Sequence, residues 1–170
     1  MKGFGALLVF VGVTLLLRST ALTELAARGV VIDVLAIATV VWALRYRETW
    51  GTSFGLALGL AADLDAGRWM GRHALLLALA GYGVGRLSHT LVRDSFRAHL
   101  AVFFLVTLVH QTWSAAFEFG GIGAWPLLGE RVLLACLATA PIGALFLYLM
   151  RRVSGQSLFG HAGTLSSPRI

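Results

Sequence analysis

The sequence predicts an all-α polytopic membrane protein with six transmembrane helices, and three observations carry that prediction. Of its 170 residues, 58% are hydrophobic and only 13% are charged, a balance foreign to soluble domains. The apolar residues fall in separate runs, too numerous for one soluble core. The basic residues lie in the connections between those runs, as topology determinants do. The formal charge of +6 therefore does not point to nucleic acid, which calls for basic residues gathered in one stripe. The single cysteine, Cys136, sits inside an apolar run, which excludes an intrachain disulfide and a cysteine-based metal site.

The first span is placed at residues 3–22. Lys2, the apolar run ending at Arg18 and the small residues Ser19-Thr20-Ala21 resemble a signal peptide. The further runs, and a length that reaches toward Leu22, favour an uncleaved helix 1. Helix 2 is placed at 29–44, with Arg45, Tyr46, Arg47 and Glu48 as an interfacial anchor. Its many β-branched residues, Val30 to Ile32 and Val40-Val41 among them, would argue for a strand in water. In lipid a helix satisfies every backbone N–H and C=O within the segment, and the helix wins.

Helix 3 at 52–62 and helix 4 at 74–87 are short for full spans. The glycines of this region recur at helical spacing: Gly51, Gly55 and Gly59 on one face, Gly81 and Gly85 on another. Small residues let helix backbones approach closely in lipid, where packing drives association. One of these faces is expected to be occupied internally and the other to receive a partner helix. Helix 5 at 100–117 follows a polar segment, and an aromatic, glycine-rich loop through Trp125-Pro126 leads to helix 6 at 131–150, with Pro141 inside it. Residues 1–150 thus form the transmembrane domain, and 151–170 a flexible cytoplasmic tail.

With the N-terminus inside, Lys2, Arg45, Arg47, Arg86, Arg93, Arg97, Arg151, Arg152 and Arg169 are cytoplasmic, and Arg18, Arg28, Arg68, Arg72 and Arg131 are outside. The excess puts both termini in the cytoplasm. That orientation gathers a polar cluster at the outer face: Asp33, Asp63, Asp65, Arg68, Arg72 and His110. Asp33 lies one turn into helix 2, and Asp63 or Asp65 is expected to pair with Arg68, Arg72 or Arg28. At about 1.5 Å per residue from Leu100, His110 falls in the outer half of the bilayer, within reach of Asp33 or Asp63. Beside it Gln111, Thr112 and Ser114 continue the polar step. Such groups usually bond neighbouring helices, although a His and Asp pair can also relay protons. Asp63-Leu64-Asp65 resembles a metal-binding carboxylate pair for nucleotide sugars, but the predicted side of the membrane is wrong and no flanking carboxylates complete the site. No serine has a nucleophile elbow. No catalytic residue, metal or cofactor is expected.

These residues carry a family resemblance. Ser53-Phe54-Gly55, then Gly59-Leu60-Ala61-Ala62-Asp63, then Gly67 and Gly71, then Gly81-Tyr82 with Gly85 resemble the rod shape-determining protein MreD family. In that family a helix carries G-F-x-x-G-L-x-x-D, followed by a small-residue turn and a helix ending in a glycine-tyrosine step. Asp33 matches the family's proline-aspartate step, with Ile32 at the proline position. The resemblance implies a non-enzymatic inner-membrane subunit of the bacterial cell-elongation complex. It would bind MreC and connect the actin-like MreB with RodA and a class B penicillin-binding protein. The family also looks, in fold, like the substrate-binding subunits of energy-coupling-factor vitamin transporters, which supplies the alternative function. Those subunits show alanines spaced by three along helix 1, where this chain has only Ala6 between Gly3 and Arg18.

Overall fold

The computed structural model describes residues 2–20, 31–67, 69–88, 95–118 and 125–154. Five helices account for the regular structure among them: α1 (Lys2–Ser19), α2 (Val34–Ala66), α3 (Arg72–Leu87), α4 (Phe96–Glu118) and α5 (Trp125–Ser154). The expected helices 2 and 3 are the two arms of α2. At Arg47 the backbone leaves helical geometry (φ 70°, ψ −172°), and the chain folds back on itself. Trp42 and Phe54 show the reversal directly, since their rings stack with centroids 4.7 Å apart. In a straight helix twelve residues would separate them by about 18 Å.

The first arm of α2, residues 34–46, is the axis of the bundle. Every residue from Leu35 to Leu44 is buried, the signature of a helix that is apolar all round and enclosed by others. One side packs on Phe103 of α4 and Ala140, Ala144 and Leu147 of α5. The other meets Leu7 of α1, Phe54 and Leu58 of the second arm, and Leu77 of α3. Val40 and Val41, two of the β-branched residues that favoured a strand in water, thus lie inside a helical core.

The second arm, residues 48–66, runs antiparallel to α3 with no side chains between the two backbones. A Cβ on Gly51 would lie 2.7 Å from the Gly81 carbonyl oxygen. One on Gly55 would collide with the Leu77 carbonyl, one on Gly59 with the Ala74 backbone, and one on Gly85 with that of Glu48. Both glycine faces are therefore turned toward each other, and neither receives a partner helix as expected. A helix face can make such a backbone approach only once, and here the covalent neighbour takes it.

The boundaries differ from expectation in instructive places. Helix 2 begins at Val34, because Asp33 accepts a hydrogen bond from the Ala36 N–H (3.0 Å) and caps the helix rather than lying inside it. The last helix starts at Trp125, with Pro126 in its first turn where a missing N–H costs nothing, and continues through Pro141 to Ser154. The rest of the expected tail lies outside the described residues. Among the described residues two helices are long and apolar enough to cross a membrane, Phe96–Phe117 and Gly129–Met150, each of 22 residues. The 16 residues of α3 span about 24 Å at 1.5 Å per residue, less than the roughly 30 Å of a hydrocarbon core.

The backbone contact between α2 and α3 makes a direct prediction. Gly55→Ala should destabilise the detergent-solubilised protein by about 1–3 kcal/mol through overpacking, lowering its thermal midpoint in fluorescence-detected size exclusion. Gly83→Ala, where a Cβ would meet nothing within 4 Å, should leave that midpoint unchanged or raise it, as alanine is the better helix former.

Candidate functional site

The polar residues gather at one end of the bundle, where α1 finishes and α2 and α3 begin. Helix α3 opens on Gly71, which offers no side chain to cap its first N–H groups. The cap comes from the preceding helix. Asp63, fully buried near the end of α2, accepts from the backbone N–H groups of Gly71 (2.9 Å), His73 (3.1 Å) and Ala74 (3.1 Å). It also accepts from His73 Nδ1 at 2.8 Å. Each carboxylate oxygen thus has two donors, and the negative charge stands at the positive end of the α3 dipole. Gly67, in the left-handed conformation (φ 62°), turns the chain out of α2 between these groups.

Among the described residues Asp63 pairs with a histidine and not with an arginine. Histidine and backbone N–H groups hold the carboxylate, and Arg72 Nε approaches His73 Nδ1 at 3.3 Å. Asp65, two residues on, is exposed, because the helical repeat carries it to the opposite side. Arg28 and Arg68 lie outside the described residues.

A second buried pair stands beside the first. Asp33 accepts from His110 Nδ1 and from Gln111 Nε2 (3.1 Å) on α4, in addition to its capping bond. Its own N–H donates to Thr139 Oγ1 on α5 (3.0 Å). Three helices therefore meet at one aspartate. The two imidazoles face each other across the bundle with ring centroids 5.4 Å apart. An ionised carboxylate only accepts, so each histidine carries its proton on Nδ1 and, when neutral, leaves Nε2 as an acceptor.

Among the described residues no group of three or more His, Cys, Asp or Glu side chains is placed to hold a metal ion. Cys136 is buried and free. The structure brings Asp33, Asp63 and His110 of the expected cluster to one place, with Arg72 at its margin, and leaves Asp65 outside. Sequence reading missed His73. Its signal was negative: a helix start at Gly71 without a local capping side chain must draw its acceptor from elsewhere, and Asp63 is the nearest buried carboxylate in the chain.

The comparisons with known proteins bear on what this arrangement belongs to. A family model described as rod shape-determining protein MreD matches residues 3–122, over two thirds of the chain. The chain belongs to the MreD family. It is thus an all-helical membrane protein of a family involved in determining rod shape. The match takes in α1 through α4, with both carboxylate and histidine pairs and the glycine contact between α2 and α3. No curated protein and no solved structure matches the chain.

The two pairs predict different outcomes on substitution. Asp63→Ala removes the acceptor for four donors and should cost about 3–5 kcal/mol, as for one partner of a buried charged pair; the protein should fail to accumulate in membranes, while Asp65→Ala accumulates normally. Asp33→Asn keeps a capping oxygen for α2 and should be tolerated better than Asp33→Ala, which loses about 1 kcal/mol in the cap alone. Quantitative immunoblots of the membrane fraction distinguish the four variants.

Proposed function

We propose that this MreD family chain is a non-enzymatic inner-membrane scaffold of the bacterial cell-elongation complex. It binds MreC and couples the MreB cytoskeleton to peptidoglycan synthesis by RodA and a class B penicillin-binding protein. The family match over residues 3–122 carries the reading. The physical character of the bundle supports it. Its buried aspartates Asp33 and Asp63 hold helices together, and its outward side chains, such as Leu8 and Val9 on α1 and Leu137 and Leu145 on α5, are large and apolar. A scaffold needs a stiff body and lipid-level surfaces for other helices, and no bond need break or form for it to act.

The orientation follows from the basic residues. Both termini lie in the cytoplasm, so the exposed Arg45 and Arg47 at the α2 reversal are on the inner side and the carboxylate and histidine pairs toward the outer side. Partner helices bind away from the α2–α3 glycine contact, since that approach is already taken. Gly55→Ala should therefore reduce partner recovery only as far as it reduces folded protein.

Affinity purification from the native membrane in mild detergent tests the reading, with proteins and small molecules analysed from one preparation. MreC and other wall-elongation proteins are expected in stoichiometric amounts. A vitamin-like compound bound together with an ATPase module, in place of MreC, would overturn the scaffold reading and make the chain a transport subunit.

A further inference from the structure

Among the described residues the bundle holds two apolar clefts and a polar cavity. One of about 390 Å³ lies between α1, α2 and α5, and one of about 370 Å³ between α3 and α4. Their linings match the lipid tails outside. The third, about 160 Å³, differs in chemistry: Arg18, Asp33, His73, His110, Gln111 and Ser114 contribute to its wall. It sits at the end of the bundle where the two carboxylate and histidine pairs stand, with Arg18 entering from the last turn of α1.

Three side-chain atoms of this lining are buried without a hydrogen-bond partner among the described residues: Arg18 Nη1, His110 Nε2 and Ser114 Oγ. Buried polar atoms are almost always paired. Three such atoms converging on one cavity call for a group from outside the chain. His110 is only 4% exposed, so the lack of a partner there is not relieved at the surface.

Arg18 and Ser114 can donate, whereas His110 Nε2 accepts when the ring is neutral and so suits the P–OH of a protonated phosphate. A guanidinium can donate but not accept, and its charge does not titrate, so the occupant is an acceptor and preferably an anion. A metal cation is disfavoured by the same charge, despite the two histidines. The Asp33 carboxylate does not take the place of the missing anion: it receives Ala36, His110 and Gln111, and Arg18 Nη1 makes no hydrogen bond to it. The Ser114 hydroxyl is free to donate beside the arginine. The volume is about tenfold the roughly 10–15 Å³ that one water needs by the same measure, enough for a phosphate-sized group. Arginine suits tetrahedral oxyanions through its forked donors.

We propose that this cavity is an oxyanion site that binds a phosphate group, with Arg18 and Ser114 as its donors. The phosphate belongs either to a phospholipid headgroup or to a free phosphate ion. The proposal stands independently of the scaffold reading, because it rests on the cavity and its unpaired donors alone.

The test uses the full-length protein, purified in an uncharged detergent without phosphate buffer. In one arm, phosphorus that stays with the washed protein is measured before and after organic extraction, which removes lipid. In the other, inorganic phosphate is titrated by equilibrium dialysis with a radiolabelled tracer. Stoichiometric phosphorus in the extract identifies a lipid headgroup, and saturable dialysis binding identifies the free ion. Arg18→Gln should weaken whichever binding is found by about tenfold or more, the worth of a hydrogen bond to a charged group. Ser114→Ala should weaken it by about threefold to tenfold, and Arg45→Gln, exposed at the α2 reversal, should not change it. Absence of stoichiometric phosphate from both arms overturns the proposal, as does wild-type binding in the Arg18→Gln and Ser114→Ala proteins. Should Arg18→Gln not remain monodisperse, Ser114→Ala decides, since it deletes one oxygen from a half-buried position.

Discussion

A carboxylate removed from both water and lipid must be given donors, and Asp63 imposes that condition on the whole bundle. It sits near the end of one helix and collects the first N–H groups of the next, together with His73. Those bonds fix where α3 starts relative to α2 in depth and rotation. The glycine contact needs that register, because Gly59 meets Ala74, Gly55 meets Leu77 and Gly51 meets Gly81 only at one setting of the two helices. A slide of one residue along either helix would drive side chains into backbone. The same bonds turn the His73 ring toward His110, and so bring the Asp33 pair into the same region.

The glycine contact has a further effect on how the molecule can work. Close backbone approach maximises dispersion between two helices that lack a hydrophobic driving force in lipid. Because the second arm of α2 and α3 make this approach to each other, they behave as one stiff unit behind the central arm. Longer apolar side chains cover the outer faces.

The bundle is also polarised along its length. At the Arg47 reversal aromatic stacking and small-residue contact dominate: Trp42 lies against Phe10 and Phe54, and Tyr46 follows one turn on. At the opposite end, hydrogen bonds to buried carboxylates dominate. Hydrogen bonds require aligned donors and acceptors, whereas apolar contacts set no such angles. The polar end is also where an arginine-lined cavity opens.

Much of this was legible in the residues. Apolar runs, basic connections and glycines four apart specify membrane helices and small-residue faces, because hydrophobic length and helical period are local properties of a chain. Asp33, Asp63 and His110 stood out for a related reason: ionisable groups at membrane depth are costly alone, so their presence announces partners. Which partners was not local. That Asp63 takes His73 and backbone N–H groups rather than an arginine, and that Asp33 joins α4 and α5 across 77 and 106 residues of sequence, depends on how the helices are arranged around the central arm. The same arrangement turned both glycine faces inward. Sequence by itself determined the helices, their small faces and the need to pair buried charge; only the tertiary structure decided which face met which and which donor reached each carboxylate, because those outcomes depend on the relative depth and rotation of whole helices, which no local pattern encodes.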